Sequence, residues 1–318
     1  MEAIDPTKFA EAKSIEEVHS LLAAAGIGPG WNKPEPSLWA TPRKSFLPVH
    51  WSYRLAKSAL DAAGRFVSTE LAERRNLILN NPVVGNSYAT TRTLVAAYQM
   101  VEPGEVARSH RHTPNALRLV VDAAPDMFTV VNGKKIPMLP GDVVLTPSWS
   151  WHGHRNDGSA RAYWIDFLDV PLVQLLEPMF FEPFPEGLET TDEIDEHSPM
   201  RFAWTDTLRR LTAQPNLSMG YSEIPLGPPE LRSVALYVAR LDEGAERLPA
   251  RTTGNSIFAV IDGTGVVNVE ESMFVWQRGD VFVVPAWRQC RLGARTKSYL
   301  LRVTDEPVLA RLDWLKEA

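Results

Sequence analysis

The feature that most constrains this chain is an internal repeat. Gly104 is followed after five residues by His110, then by His112 and Asn115, and Gly244 is followed at the same spacings by Ala250, Thr252 and Asn255. Farther along, "PGDVVLTPSWSWH" is matched by "RGDVFVVPAWRQC", so Gly141, Asp142, Pro147 and His152 correspond to Gly279, Asp280, Pro285 and Cys290. Two copies of one frame in 318 residues imply a duplicated domain. Within each copy, short apolar or alternating runs such as "ALRLVVD", "MFTVVNGKK" and "YWIDFLD" are separated by Gly, Pro, Asn and Asp. That rhythm predicts short strands closing into a barrel or sandwich rather than an α/β sheet.

Around the two copies the pattern changes. Residues 1–92 read as a helical and irregular N-terminal arm, with helices at "SIEEVHSLLAAAG", "WSYRLAKSALDAAGRF" and "STELAERRNLIL". Ser14 and Glu17 form a capping box at the first of these, and Gly26 is its stop. Residues 93–170 are the first strand-rich copy, 171–232 a Pro-rich linker with one helix at "WTDTLRRLTA", and 233–318 the second copy. The net charge of -6, with Lys and Arg scattered singly, offers no basic stripe for nucleic acid. No run approaches the roughly 18 apolar residues that span a bilayer, so no membrane partner is expected. A single cysteine, Cys290, fits a reducing cytoplasm.

His110 and His112 stand two apart, which on a strand sends both imidazoles to one face, and His152 arrives from a later strand after the Gly-Asp turn. Neutral imidazoles suit iron, zinc, copper or nickel, and three ligands leave positions open for substrate. The second copy is an internal control. It keeps the frame but carries Ala250, Thr252 and Cys290 at the histidine positions and Phe258 at that of Arg118. The frame therefore folds without those side chains.

Arg118, in "ALRLVV", is costly to bury without an anion. It is open to two readings, a structural ion pair with Glu102, Asp122 or Asp166, or a clamp for an anionic substrate. Gln99 is out of character in "TLVAAYQ" and bonds either a neighbouring backbone group or a ligand. His154, two residues past His152, is a fourth ligand or an acid/base group beside the metal. His19, His50 and His197 read as solvent-facing.

"GEVARSH-R-H" with "GDVVLTPSWSWHGHRN" resembles the two motifs of the cupin superfamily, and two such copies make a bicupin. More narrowly, "SHRHTPNALRLV", "MLPGDVVLTPSWSWHGH", "DFLDVPLV" and "LLRVTDEPVL" resemble the gentisate 1,2-dioxygenase family, which includes salicylate and 1-hydroxy-2-naphthoate dioxygenases. The resemblance implies a mainly β fold of two double-stranded β-helix jelly-roll barrels. It implies Fe(II), one per chain in the first barrel, held by His110, His112 and His152, with O2 as co-substrate and a small aromatic carboxylate as substrate. Arg118 would bind the carboxylate, Gln99 would lie beside the chelating oxygens, and His154 would meet the substrate hydroxyl. Asp166 would hold His154 in one tautomer, its other reading being a turn or cap residue. Arg74 and Arg75 resemble a basic pair at the site's mouth, which a solvated helix face explains equally well. The family also implies a homotetramer.

Two departures bear on substrate. The acid that many cupins place after the paired histidines is missing, Ala116 and Leu117 standing there, so an all-imidazole set keeps the full metal charge for a dianionic 2-hydroxybenzoate. Gly153, Arg155 and Phe167 depart from the usual pattern, which makes substituted salicylates candidates beside gentisate. A ligand-binding bicupin without chemistry, and another metal enzyme such as an isomerase or flavonol-type oxygenase, are the alternatives.

Overall fold

Alternation along the strands decides how the two halves pack. In Ala116–Asp122, Leu117, Leu119 and Val121 share one face while Arg118 and Val120 take the other; in Ala162–Leu168, Tyr163, Ile165 and Phe167 share the first and Trp164 and Asp166 the second. Both faces are buried, which is why these strands read as nearly continuous apolar runs. The computed structural model, which describes residues 5–68, 75–215, 219–227 and 231–318, shows two antiparallel barrels of two sheets each. This is the bicupin fold expected from the sequence.

In the first barrel the larger sheet runs in spatial order Arg201–Phe202, Val143–Thr146, Ala116–Asp122, Ala162–Leu168, Val95–Val101, Arg75–Ile78. The smaller runs Phe181–Pro183, Val106–His112, His152–Asn156, Met127–Val131, Lys134–Pro137. The second barrel has His50–Trp51, Val281–Val284, Ser256–Asp262, Ser298–Thr304, Ala235–Leu241, Tyr221–Pro225 against Glu246–Arg247, Cys290–Ala294, Thr264–Val269, Ser272–Gln277. One core joins the larger sheets, holding Tyr98, Leu119 and Ile165 from the first with Val238, Ala259 and Leu301 from the second. Each barrel has its own interior core as well.

The repeat extends beyond what the sequence displays. His50–Trp51 pairs with Val281–Val284 of the second barrel, while Arg75–Ile78 pairs with Val95–Val101 of the first. Arg201–Phe202 pairs with Val143–Thr146 of the first barrel, while Tyr221–Pro225 pairs with Ala235–Leu241 of the second. Each strand–helix–strand segment thus gives one strand to each barrel. The arm beyond residue 43 and the linker both contribute strands to the barrels' sheets, and Arg75–Ile78, expected as the end of a third helix, is a strand; residues 69–74 lie outside the described residues.

The Gly-Asp turns explain why both copies keep them. Asp142 accepts the backbone N–H of Trp204 (2.8 Å) and pairs with Arg201, and Asp280 accepts that of Tyr53 (2.8 Å) and bonds His50. Each carboxylate thus satisfies the first N–H of a helix that packs on the other barrel: Trp204–Ala213 lies on strands of the second and Tyr53–Ala63 on strands of the first. Gly141 and Gly279 have φ of +87° and +83°, and a Cβ would strike Trp204 or Tyr53. His50 is therefore a half-buried partner of Asp280 and not a solvent-facing side chain.

Residues 1–43 form a unit by themselves and 44–318 another. In the first, Ser14 accepts the N–H of Glu17 (3.2 Å) to cap helix Ile15–Ala24, and Gly26 ends it at φ +71°.

Candidate active site

A backbone irregularity assembles the histidines. Val106–His112 pairs with His152–Asn156 in a register that shifts between Ala107 and His110 and leaves His110 opposite His152. Gly153 lies against this irregularity, where a Cβ would come within 2.6 Å of Ser109 Oγ and 2.9 Å of the Ala107 carbonyl. Ser109 Oγ is held by the backbone N–H of Glu189, so the glycine at this position is a packing requirement.

Ligand atoms of His110, His112 and His152 lie within 4.8 Å of one another. Each ring is oriented by its Nδ1, which donates to a carbonyl: Arg108 O (3.2 Å), Pro114 O (2.8 Å) and Ser150 O (3.0 Å) respectively. A carbonyl only accepts, so Nδ1 carries the proton and the lone pair is on Nε2. Burial, and then the nearby Arg118 charge and the other two imidazoles, hold the His152 pKa well below its usual range. Neutral rings with fixed tautomers and clustered lone pairs fit a first-row divalent ion, and backbone carbonyls on the distal nitrogens are the usual support of such a set.

Beside the triad is a buried polar cluster centred on Asp166, which is 2% exposed. Its Oδ1 accepts from Arg118 Nε (3.1 Å) and Trp164 Nε1 (2.9 Å), and its Oδ2 from Gln99 Nε2 (2.8 Å). The ion pair with Asp166 foreseen as one reading of Arg118 is present. It uses Nε, the edge other than the two-nitrogen fork that receives a carboxylate in a bidentate manner. Because Gln99 gives its amide nitrogen to Asp166, its Oε1 faces the other way, buried and without a hydrogen-bond partner among the described residues. His154, fully buried, packs its ring on Trp164 at 4.9 Å. Where Asp166 was expected to hold His154 in one tautomer, its hydrogen bonds orient Arg118, Gln99 and Trp164, and it is the Trp164 ring that meets His154.

The structure does not bring Arg75 to the triad. It pairs with Met100, on the face opposite Gln99, and its guanidinium is bidentate to Glu105 (2.6 and 2.7 Å) with Nε on the Val67 carbonyl. Arg74 lies outside the described residues.

Residues 97–168 match the cupin domain family. Over a 340-residue alignment the chain is 32% identical to a gentisate 1,2-dioxygenase from Streptomyces sp, spanning 95% of this chain and 94% of that one. It is 33% identical over 279 residues to a 1-hydroxy-2-naphthoate 1,2-dioxygenase from Nocardioides sp., spanning 79% and 72% respectively. The chain belongs to the gentisate and salicylate 1,2-dioxygenase family. A solved structure of the salicylate 1,2-dioxygenase from Pseudoaminobacter salicylatoxidans, in adducts with gentisate, is similar with a TM-score of 0.90 at 27% identity, covering 100% of this chain and 95% of that one. The present chain is thus a ring-cleaving dioxygenase. Membership also decides among the readings left open by the residues, against a ligand-binding bicupin without chemistry.

Three side chains of this dioxygenase's site escaped the sequence reading. Phe181 pairs with His112 across strands and brings its ring 5.2 Å from His110. Nothing in the Pro-rich linker marked it. Thr129 receives Arg118 Nη1 at 3.5 Å, and Trp164 anchors Asp166. Strand alternation could have found both, since each lies on the interior face of its strand.

Proposed function

We propose that this dioxygenase opens a 2-hydroxybenzoate ring with O2 between its carboxyl-bearing and hydroxyl-bearing carbons, using Fe(II) held by His110, His112 and His152. Gentisate and 5-substituted salicylates such as 5-nitro- or 5-chlorosalicylate are the substrate class. The observation that carries this is the pairing of an anchored cation with an orphaned acceptor, Arg118 and Gln99 Oε1, on one carboxylate. Together they match a carboxylate and a neighbouring hydroxyl.

Iron bound at the triad would supply the one-electron chemistry that lets O2 react with a closed-shell ring. The chain's own residues position the ring. Arg118, held by Asp166, binds the carboxylate through its fork; Gln99 Oε1 accepts from the ortho hydroxyl of the arriving substrate, and His154 then takes up that proton. Phe181 packs on the ring beside His110. Three neutral ligands favour a dianionic substrate over a neutral one. A role for Arg74 at the mouth rests on the family resemblance.

With this reading go a metal-binding barrel built around 93–170, a second barrel built around 233–318 that lacks metal ligands, and a cytoplasmic homotetramer. Iron-loaded enzyme is expected to take up O2 and open at least one of gentisate, salicylate and the 5-substituted salicylates in steady-state assays. Metal analysis should return one iron per chain. Tightly held zinc without O2 uptake, or no ring opening of any of them, sinks the proposal.

A further inference from the structure

The second barrel has lost every metal ligand, yet it is not filled. Where the first barrel has its triad, the second keeps a cavity of about 220 Å3 walled by Ala250, Thr252 and Cys290. Burial pushes the Cys290 thiol up to about 12, so it is a neutral, apolar wall at physiological pH. Packed interiors hold few voids larger than a water molecule, and a barrel serving only as scaffold would close such a space with aliphatic side chains.

The lining is charged instead. The register that sets Asp166 opposite Arg118 in the first barrel sets Arg302 opposite Phe258 in the second. The arginine has moved to the neighbouring strand. Its charge is answered by Glu223 (3.2 Å) and Glu306 (2.8 Å). Arg288 is likewise engaged, by Glu270 (2.7 Å) and by the carbonyls of Lys44 and Phe46. Arg247 differs. It lies over the Tyr221 ring at 5.0 Å, has no ion pair among the described residues, and its buried Nε has no hydrogen-bond partner. A guanidinium keeps its charge, so a buried N–H of this kind calls for an anionic acceptor. Glu317, the remaining acid of the lining, is exposed on the terminal segment that bridges to Thr252, where water screens it. Opposite these groups Phe258, stacked on Phe282 at 5.0 Å and 10°, offers a flat apolar face.

We propose that this cavity is a second, non-catalytic site for a small aromatic monocarboxylate, its carboxylate on Arg247 and its ring against Phe258 and Cys290. Having no imidazole, the site binds without reacting. The inference stands apart from the ring-opening proposal, whose assay is run in parallel.

4-Fluorobenzoate, which lacks the ortho hydroxyl needed to chelate a metal, is the probe, titrated under argon into iron-loaded wild type, Arg247→Gln and Cys290→Phe and followed by 19F NMR. Arg247→Gln removes the charge at a half-exposed position, Cys290→Phe fills the cavity, and near-ultraviolet circular dichroism verifies that each folds. Wild type is expected to bind one equivalent per chain more than Cys290→Phe, and Arg247→Gln to weaken that equivalent by about tenfold or more, the scale of one charge-assisted hydrogen bond. Ring-opening rates without the probe should be alike in all three. Equal stoichiometry and affinity across the three proteins overturns the proposal.

Discussion

Arg118 serves as a strut through Nε and as a candidate clamp through its fork, and the two roles respond differently to substitution. Arg118→Ala leaves Asp166 a buried carboxylate with only Gln99 and Trp164 as donors, and breaking a buried pair in this way costs about 3–5 kcal/mol. A large fall in melting temperature is therefore expected, and it obscures any effect on binding. Arg118→Lys keeps the charge without the fork. With iron content unchanged, it should raise KM for carboxylate-bearing substrates by about 10- to 100-fold, the value of a charged bidentate contact. An unchanged KM would leave Arg118 a scaffold residue. The triad and Arg118 were visible in the sequence because the second copy shows the frame surviving without them. Phe181 was not, because its nearness to His110 depends on a strand pairing between segments about seventy residues apart.

Among the elements, the strand Arg75–Ile78 is fastened to the turn that leads into the histidine-bearing strand Val106–His112. Glu105 accepts two bonds from Arg75 and one from the backbone N–H of Glu102 (2.7 Å). Burial raises its pKa, but the Arg75 bonds and that backbone donor outweigh it and the net shift is downward. A carboxylate with a lowered folded-state pKa contributes stability that is fully present above its unfolded value, about 4.3, and lost as pH falls through the folded value. Wild type should therefore lose melting temperature on acidification below about pH 5 more steeply than Glu105→Gln, which starts lower at pH 7. Parallel acid limbs would show that the pair carries no stability. The sequence suggested a helix here because "AERRNLIL" is a good helix former. Sheet pairing with Val95–Val101 overrides that propensity.

At the scale of the molecule, residues 44–318 are a pair of barrels that exchange leading strands across a shared core. Residues 233–318 expressed alone would lack both His50–Trp51 and Tyr221–Pro225 and would expose Val238, Ala259 and Leu301 to water. Such a fragment should show no dispersed amide spectrum and should aggregate; a folded, monomeric fragment would refute the interdependence. The proposed homotetramer is tested at the same scale: light scattering should return the mass of four chains.

Duplication, strand rhythm, the three histidines and the buried arginine were determined by the sequence alone, because periodicity and spacing are local and the second copy tests which side chains the frame needs. What only the tertiary structure decided depends on pairings between distant segments. It gives Asp166 to Arg118 and Gln99, turns arm and linker into sheet strands, sends Arg75 away from the triad, and leaves Arg247 facing a cavity. Each of these follows from which face of a strand a residue occupies once its neighbours are chosen, and that choice is made by burial across the whole fold.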